Sequence, residues 1–159
     1  MMAEKLADVA HPGKRPMDIA LAEAEAAGAR GEVPIGAVIL SADGEVLSQA
    51  GNRTIGFRDP TAHAELLAIR QACEGLGSER LVGCDLYVTL EPCAMCAAAI
   101  SFARIRRLYF GASDPKGGAV EHGPCFFTQP TCHHAPEVYG GIGEAKAAAL
   151  LKAFFAARR

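Results

Sequence analysis

The sequence predicts an α/β fold, one mixed sheet with helices on its faces, and three observations carry that expectation. Segments of helical period alternate with short β-branched and aliphatic runs, in the order helix, hairpin, helix, strand, helix, strand. The chain has 159 residues, half of them apolar, which suffices for one buried core. No linker or internal repeat divides it, so a single domain over residues 16–159 is expected.

Residues 1–15 mix charge with Pro12 and Gly13 and read as a loose arm. Pro16 suits the first turn of a helix, and Met17, Leu21, Ala24 and Gly28 form one stripe behind it. Residues 33–40 are a nearly continuous aliphatic run. Asp43-Gly44 then makes a tight turn, and residues 45–52 return as the second strand of a hairpin. Between residues 61 and 76, Leu66, Ile69, Cys73 and Leu76 repeat at helical spacing, with Asp59 or Thr61 as cap and Gly75 or Gly77 as stop. Residues 85–90 are a short strand, Pro92 opens an Ala-rich helix ending near Arg104, and residues 105–111 are another strand. Residues 111–143 hold seven glycines and four prolines without a period, and read as a functional loop or lid. Residues 144–159 close the chain as a helix with Leu150, Leu151, Phe154 and Phe155 on its apolar side.

Sixteen basic against eighteen acidic residues leave a net charge of −2, which excludes a chain coated in positive charge. Nucleic acid stays open, because binding needs only a local basic patch. The longest uncharged apolar run, residues 92–103, is too short to span a bilayer, and no apolar signal core follows Met1. A soluble, cytoplasmic protein with no membrane partner is the expectation. Cysteines 73, 84, 93, 96, 125 and 132 are then expected as thiols, and a Cys-x-x-Cys as a metal or redox site.

The chemistry gathers in His63-Ala64-Glu65 and Pro92-Cys93-Ala94-Met95-Cys96, each at the start of a helix. Cys93 and Cys96 are three apart, so both sulfurs reach one ion, and the positive helix end favours thiolates. Zinc accepts two thiolates and an imidazole and keeps a fourth position for water. His63 is the natural third ligand, because the other histidines fall in the arm or the loop. Glu65 sits two residues on, a spacing that shares a site with His63 only at an irregular first turn. A structural zinc uses four protein ligands and has no need of an adjacent acid. His-x-Glu followed by Pro-Cys-x-x-Cys is the pattern of zinc deaminases.

With these motifs the chain resembles the bacterial tRNA-specific adenosine deaminases, a branch of the cytidine deaminase-like superfamily. The matching residues are Val33-Pro34-Ile35-Gly36-Ala37-Val38, Gly51-Asn52-Arg53, residues 59–65 and residues 89–96. Ala103-Arg104-Ile105, Phe110-Gly111-Ala112, Asp114, Lys116 and the Phe154–Arg159 end complete the match. The resemblance implies a three-layer α/β/α sandwich around a mixed sheet of about five strands. It implies one Zn²⁺ per subunit on His63, Cys93 and Cys96, and Glu65 as the catalytic proton carrier. A homodimer holding a tRNA anticodon stem-loop is implied too, with hydrolysis of the wobble adenosine to inosine and release of ammonia.

Substrate contacts are implied at Asn52, Asp114, Phe155, Arg158 and Arg159. On their residues alone, Asn52 reads equally as a turn residue, Asp114 as a loop cap before Pro115, and the two arginines as a helix end. Arg104, Arg106 and Arg107 add positive charge that favours RNA contact, and Glu91 reads as a residue that organises its turn. The family's late Asn-His-Arg segment is replaced by His133-His134-Ala135. His122, Cys125, Cys132, His133 and His134 offer ligand types without paired spacing, and read as loop packing or nucleotide contact rather than a second metal site. Two rivals are a free nucleobase deaminase, guanine deaminase above all, and a non-catalytic zinc-stabilised RNA-binding module.

Overall fold

The computed structural model of the chain describes residues 14–158; residues 1–13, most of the expected arm, and Arg159 lie outside the described residues. The described chain runs α1 (Pro16–Ala29), β1 (Gly36–Leu40), β2 (Val46–Gly51), α2 (Ala64–Leu76), β3 (Asp85–Leu90), α3 (Ala94–Phe102), β4 (Arg107–Ala112), a 3₁₀ turn (Phe126–Thr128), β5 (Glu137–Tyr139) and α4 (Glu144–Ala156). The sheet order is β2-β1-β3-β4-β5. β1 is antiparallel to both β2 and β3, whereas β3–β4 and β4–β5 are parallel. Each strand buries alternate side chains on opposite faces, so the sheet has two cores. Ala68, Ile69 and Ala72 of α2 and Ile100 of α3 pack on Ile39, Leu86, Val88, Leu108 and Phe110. Met17, Ile19, Ala20 and Leu21 of α1 and Ala147 of α4 pack on Val38, Leu40 and Ala112. These are the three layers the sequence implied.

The structure corrects several boundaries. α2 starts at Ala64, because Asp59 caps a preceding turn, its Oδ1 accepting the Thr61 N–H at 2.8 Å and hydroxyl at 2.6 Å. Its buried stripe is Ala64, Glu65, Ala68, Ile69 and Ala72, and Leu76 is exposed just before Gly77 ends the helix at φ 66°. Residues 111–143 contain the unforeseen β5, three residues with only Val138 half-buried, too short to carry a period. β5 is held by its pairing with β4 and by the stack of Tyr87, Tyr109 and Tyr139, with centroids 4.3 and 5.0 Å apart. On α4 only Ala147 is buried; Phe154 is partly covered and Phe155 is exposed.

After β4 the chain wraps around one carboxylate. Glu91 Oε1 accepts the Asp114 N–H at 3.0 Å and lies 2.7 Å from His122 Nδ1. Oε2 accepts the N–H groups of Val120, Glu121 and His122 at 3.2, 3.0 and 3.2 Å. Gly118 is required here, since a Cβ would fall 2.5 Å from both Asp114 O and Glu91 Oε2. Burial alone pushes the Glu91 carboxyl up. The N–H of Asp114, the His122 ring and the N–H groups of Glu121 and Val120 outweigh it and hold the group below its ordinary 4.5. The turn-organising role expected of Glu91 extends over the whole of residues 114–122.

Replacing this acceptor leaves buried donors unpaired, so Glu91→Gln is expected to lower stability by about 2–4 kcal/mol at neutral pH. A group whose pKa is depressed on folding stabilises above its unfolded value and loses that contribution as pH falls through the folded value. The gap between wild type and variant in denaturant midpoint therefore holds at pH 7 and narrows below about pH 4.5.

Candidate metal centre and active site

Both reactive helices begin on a candidate ligand. His63 is the residue before α2, in extended backbone at φ −75° and ψ 151°, and makes no side-chain capping bond. An N-cap position ordinarily needs a side chain that accepts a first-turn N–H. Asn52 supplies it from β2's end, its Oδ1 accepting the Ala64 N–H at 2.8 Å. Asn52 is itself fixed by its N–H to Ile35 O at 3.1 Å and by Arg30, which donates to its carbonyl at 3.2 Å. His63 is thereby released from capping. Cys93 holds the same position before α3, at φ −72° and ψ 175°, again without a capping bond, and Cys96 lies buried one turn on.

His63 Nδ1 is 3.7 Å from Cys93 Sγ and 3.5 Å from Cys96 Sγ, and all three donor atoms lie within 4.8 Å of one another. Sulfur at about 2.3 Å and nitrogen at about 2.0–2.1 Å from a tetrahedral zinc stand roughly 3.5 Å apart, so the donor set fits that ion. Among the described residues it is the one cluster of this kind. Cys93 is pulled down to about 4, first by its hydrogen bond with Cys96 and then by His63 acting against burial. Cys96 is driven up, first by that same bond and then by burial. His63 is raised, chiefly by its bond to Cys93.

Glu65 is 4% exposed in the first turn of α2. Burial pushes its carboxyl up to about 7, Cys93 adds to that, and His63 opposes it. The irregular first turn expected for His63 and Glu65 is the one observed, with extended backbone at the first and helix at the second. A buried carboxyl with a pKa near neutrality beside a metal-ligand cluster is suited to carrying a proton in both directions.

The remaining predicted contacts separate. Asn52 is buried and its Oδ1 is taken by the start of α2, 12 residues on, rather than by a turn of its own, which leaves its Nδ2 as the atom that could donate to a base. Asp114 Oδ1 accepts the N–H groups of Lys116 and Gly117 at 3.2 and 3.0 Å, so the loop-cap reading is also realised. Asp114 nonetheless lines a groove of about 520 Å³ with Val33, Leu90, Lys116, Leu151 and Phe155. Arg158 lies 3.4 Å over the Phe154 ring and donates to Phe154 O at 3.1 Å. Arg106 and Arg107 stand at the start of β4, opposite the end of β3 that leads to Cys93. They are paired there, Arg106 to Asp85 at 3.0 Å and Arg107 to Glu137 at 2.9 Å, which offsets the positive charge expected to favour RNA contact. Most of the loop ligand types are also spent. His122 meets Glu91, Cys132 donates to His134 O at 3.2 Å, and His134 Nε2 lies 2.7 Å from Ile105 O.

Over residues 12–112 the chain matches the cytidine and deoxycytidylate deaminase zinc-binding region. The tRNA-specific adenosine deaminase of Agrobacterium fabrum is 65% identical over 143 residues, covering 90% of this chain and 93% of its own. That of Bacillus subtilis is 43% identical, covering 87% of this chain and 86% of its own. A solved structure from studies of A-to-I editing by tRNA:A34 deaminases superposes with a TM-score of 0.84 at 66% identity, covering 86% of this chain and 98% of that one. A Bacillus subtilis guanine deaminase structure gives 0.62 at 32% identity, covering 90% and 91%. With the zinc-binding region matched and the tRNA-editing relatives aligned over most of both chains, this protein belongs to the tRNA-specific adenosine deaminases of the zinc-binding deaminase family.

Proposed function

We infer that the protein is a zinc-dependent hydrolase that converts the wobble adenosine of a tRNA anticodon to inosine and releases ammonia. The observation that carries this reading is the convergence of His63 Nδ1 and the Cys93 and Cys96 sulfurs beside the buried Glu65. The greater identity and closer superposition of the tRNA-editing relatives favour it over the guanine deaminase reading. Zinc held by His63, Cys93 and Cys96 supplies a Lewis acid that makes a water molecule more acidic. Glu65 takes a proton from the attacking water and delivers it to purine N1 as oxygen adds at C6. The same carboxylate then takes the proton of the new C6 hydroxyl and passes it to the C6 amine, which leaves as ammonia while the C6 carbonyl forms. Asn52 Nδ2 donates to the base edge. The groove of Asp114 and Phe155 receives the adjoining RNA, and Arg158 and Arg159 meet its phosphates. The target base must be unstacked to enter. The reading places this activity in residues 16–159, in a homodimer, in the cytoplasm; for dimer and location its support is the family resemblance. No helix among the described residues is long and apolar enough to cross a membrane.

Incubation with an anticodon stem-loop carrying wobble adenosine is expected to give inosine, while free guanine yields no ammonia. Ammonia from guanine with an untouched stem-loop would instead assign the protein to the free-base deaminases. Glu65→Gln is expected to lose about 10²–10⁴-fold in turnover with full zinc content by elemental analysis. Normal turnover in that variant removes Glu65 from the mechanism, and binding without turnover in the wild type supports the non-catalytic rival. Chelation is expected to abolish inosine formation, and added Zn²⁺ to restore it.

A further inference from the structure

The segment between β2 and α2 has its feet on two site residues and its crown open to solvent. It leaves Asn52, returns at Ala62 just before His63, and is closed by the Arg53 N–H donating to Ala62 O at 3.0 Å. A buried carboxylate holds its interior: Glu32, 3% exposed, accepts the N–H groups of Ile55 and Gly56 at 3.0 and 2.8 Å and the Thr54 hydroxyl at 3.4 Å. Further bonds run from Phe57 N to Arg53 O and from Asp59 N to Thr54 O, at 2.9 and 3.0 Å. A loop braced in this way nevertheless presents Ile55 at 70% and Phe57 at 56% exposure. The Arg53 guanidinium lies 5.5 Å from the Phe57 ring centroid, and Arg58 is exposed beside it.

We propose that this loop is a stacking platform for an unpaired RNA base next to the adenosine being deaminated, with Phe57 as the stacking face and Arg53 and Arg58 facing the flanking phosphates. The inference rests on the tRNA reading above. Once the target base leaves the stack, its neighbours lose a stacking partner, and an aromatic ring flanked by cations replaces it without reading sequence. The cations distinguish this surface from an apolar patch made for a second copy of the chain, which would set Arg53 and Arg58 against their own like charges. Bracing by Glu32 fixes the backbone just before Phe57 ahead of RNA binding, so less ordering remains to oppose it.

The test measures KM and kcat for wild type, Phe57→Ala, Phe57→Leu and Phe57→Trp on the wobble-adenosine stem-loop, with zinc content and light-scattering mass for each. Phe57→Ala is expected to raise KM about 5- to 100-fold with kcat within about twofold. Phe57→Trp is expected to restore binding and Phe57→Leu to fail, which separates stacking from mere apolar cover. An abasic site at one of the two positions flanking the adenosine is expected to raise wild-type KM and erase its advantage over Phe57→Ala. Unchanged KM in Phe57→Ala, full rescue by leucine, or no effect of either abasic site overturns the platform while the activity stands. A change of mass in Phe57→Ala assigns the surface to a second copy and also overturns it. Wild type inactive on the stem-loop overturns the tRNA reading and the platform together.

Discussion

The site depends on a cap that α2 receives from outside itself. An N-cap position combines extended backbone with a side chain that points back over the helix start, the geometry needed to bring ligands from two helices to one point. It also carries an obligation, because the first-turn N–H groups need acceptors. A histidine or cysteine that met that obligation itself could not face a metal. At α2 the obligation passes to Asn52, whose Oδ1 takes the Ala64 N–H and leaves His63 Nδ1 beside both sulfurs. The bond also fixes the start of α2 against the end of β2, and with it the first-turn placement of Glu65. Asn52 thus belongs to the assembly of the site as well as to its proposed contact with substrate.

The same logic recurs in the loops on either side. Glu32 and Glu91 are buried carboxylates that face backbone N–H groups, one inside the loop between β2 and α2, the other inside the loop after β4. In each, burial opposes the charge and the N–H groups prevail, holding both carboxyls below their ordinary value. A long loop with an ionised acceptor at its centre keeps a fixed shape without regular structure, because its donors have one place to go. This is how a stretch rich in glycine and proline, residues 111–143, holds Asp114 at a defined place in the groove.

Sequence reading recovered the parts of this arrangement that obey a period or a fixed spacing. The sheet, the helices and the His63, Glu65, Cys93, Cys96 set were legible because burial imposes alternation or helical repeat and because a tetrahedral ion imposes spacing. β5 was not, since three edge residues give no alternation and its support comes from Tyr109 on the neighbouring strand. Glu32 and the cap made by Asn52 were missed because their partners lie 23 and 12 residues away and no local pattern marks a buried acceptor. An isolated acid within Gly31-Glu32-Val33-Pro34, an otherwise uncharged setting, was the available signal. Arg106 and Arg107 misled in the opposite direction: their charge is evident in sequence, but parallel pairing of β3 and β4 puts them at the far end of the sheet.

A net charge of −2 on a protein that handles RNA is a matter of placement. Three acids around the site, Glu32, Glu65 and Glu91, are buried, while the exposed crown beside His63 carries Arg58 and the groove mouth carries Lys116 beside Asp114. At ionic strengths where the Debye length is about 8 Å, the phosphates respond to these nearby cations far more than to the sum over the molecule. Such a surface gives weak attraction to nucleic acid in general and stronger attraction where a loop fits. On the proposed reading local charge orients the RNA, and the burial of Glu65 leaves the chemistry to a base unstacked far enough to reach it.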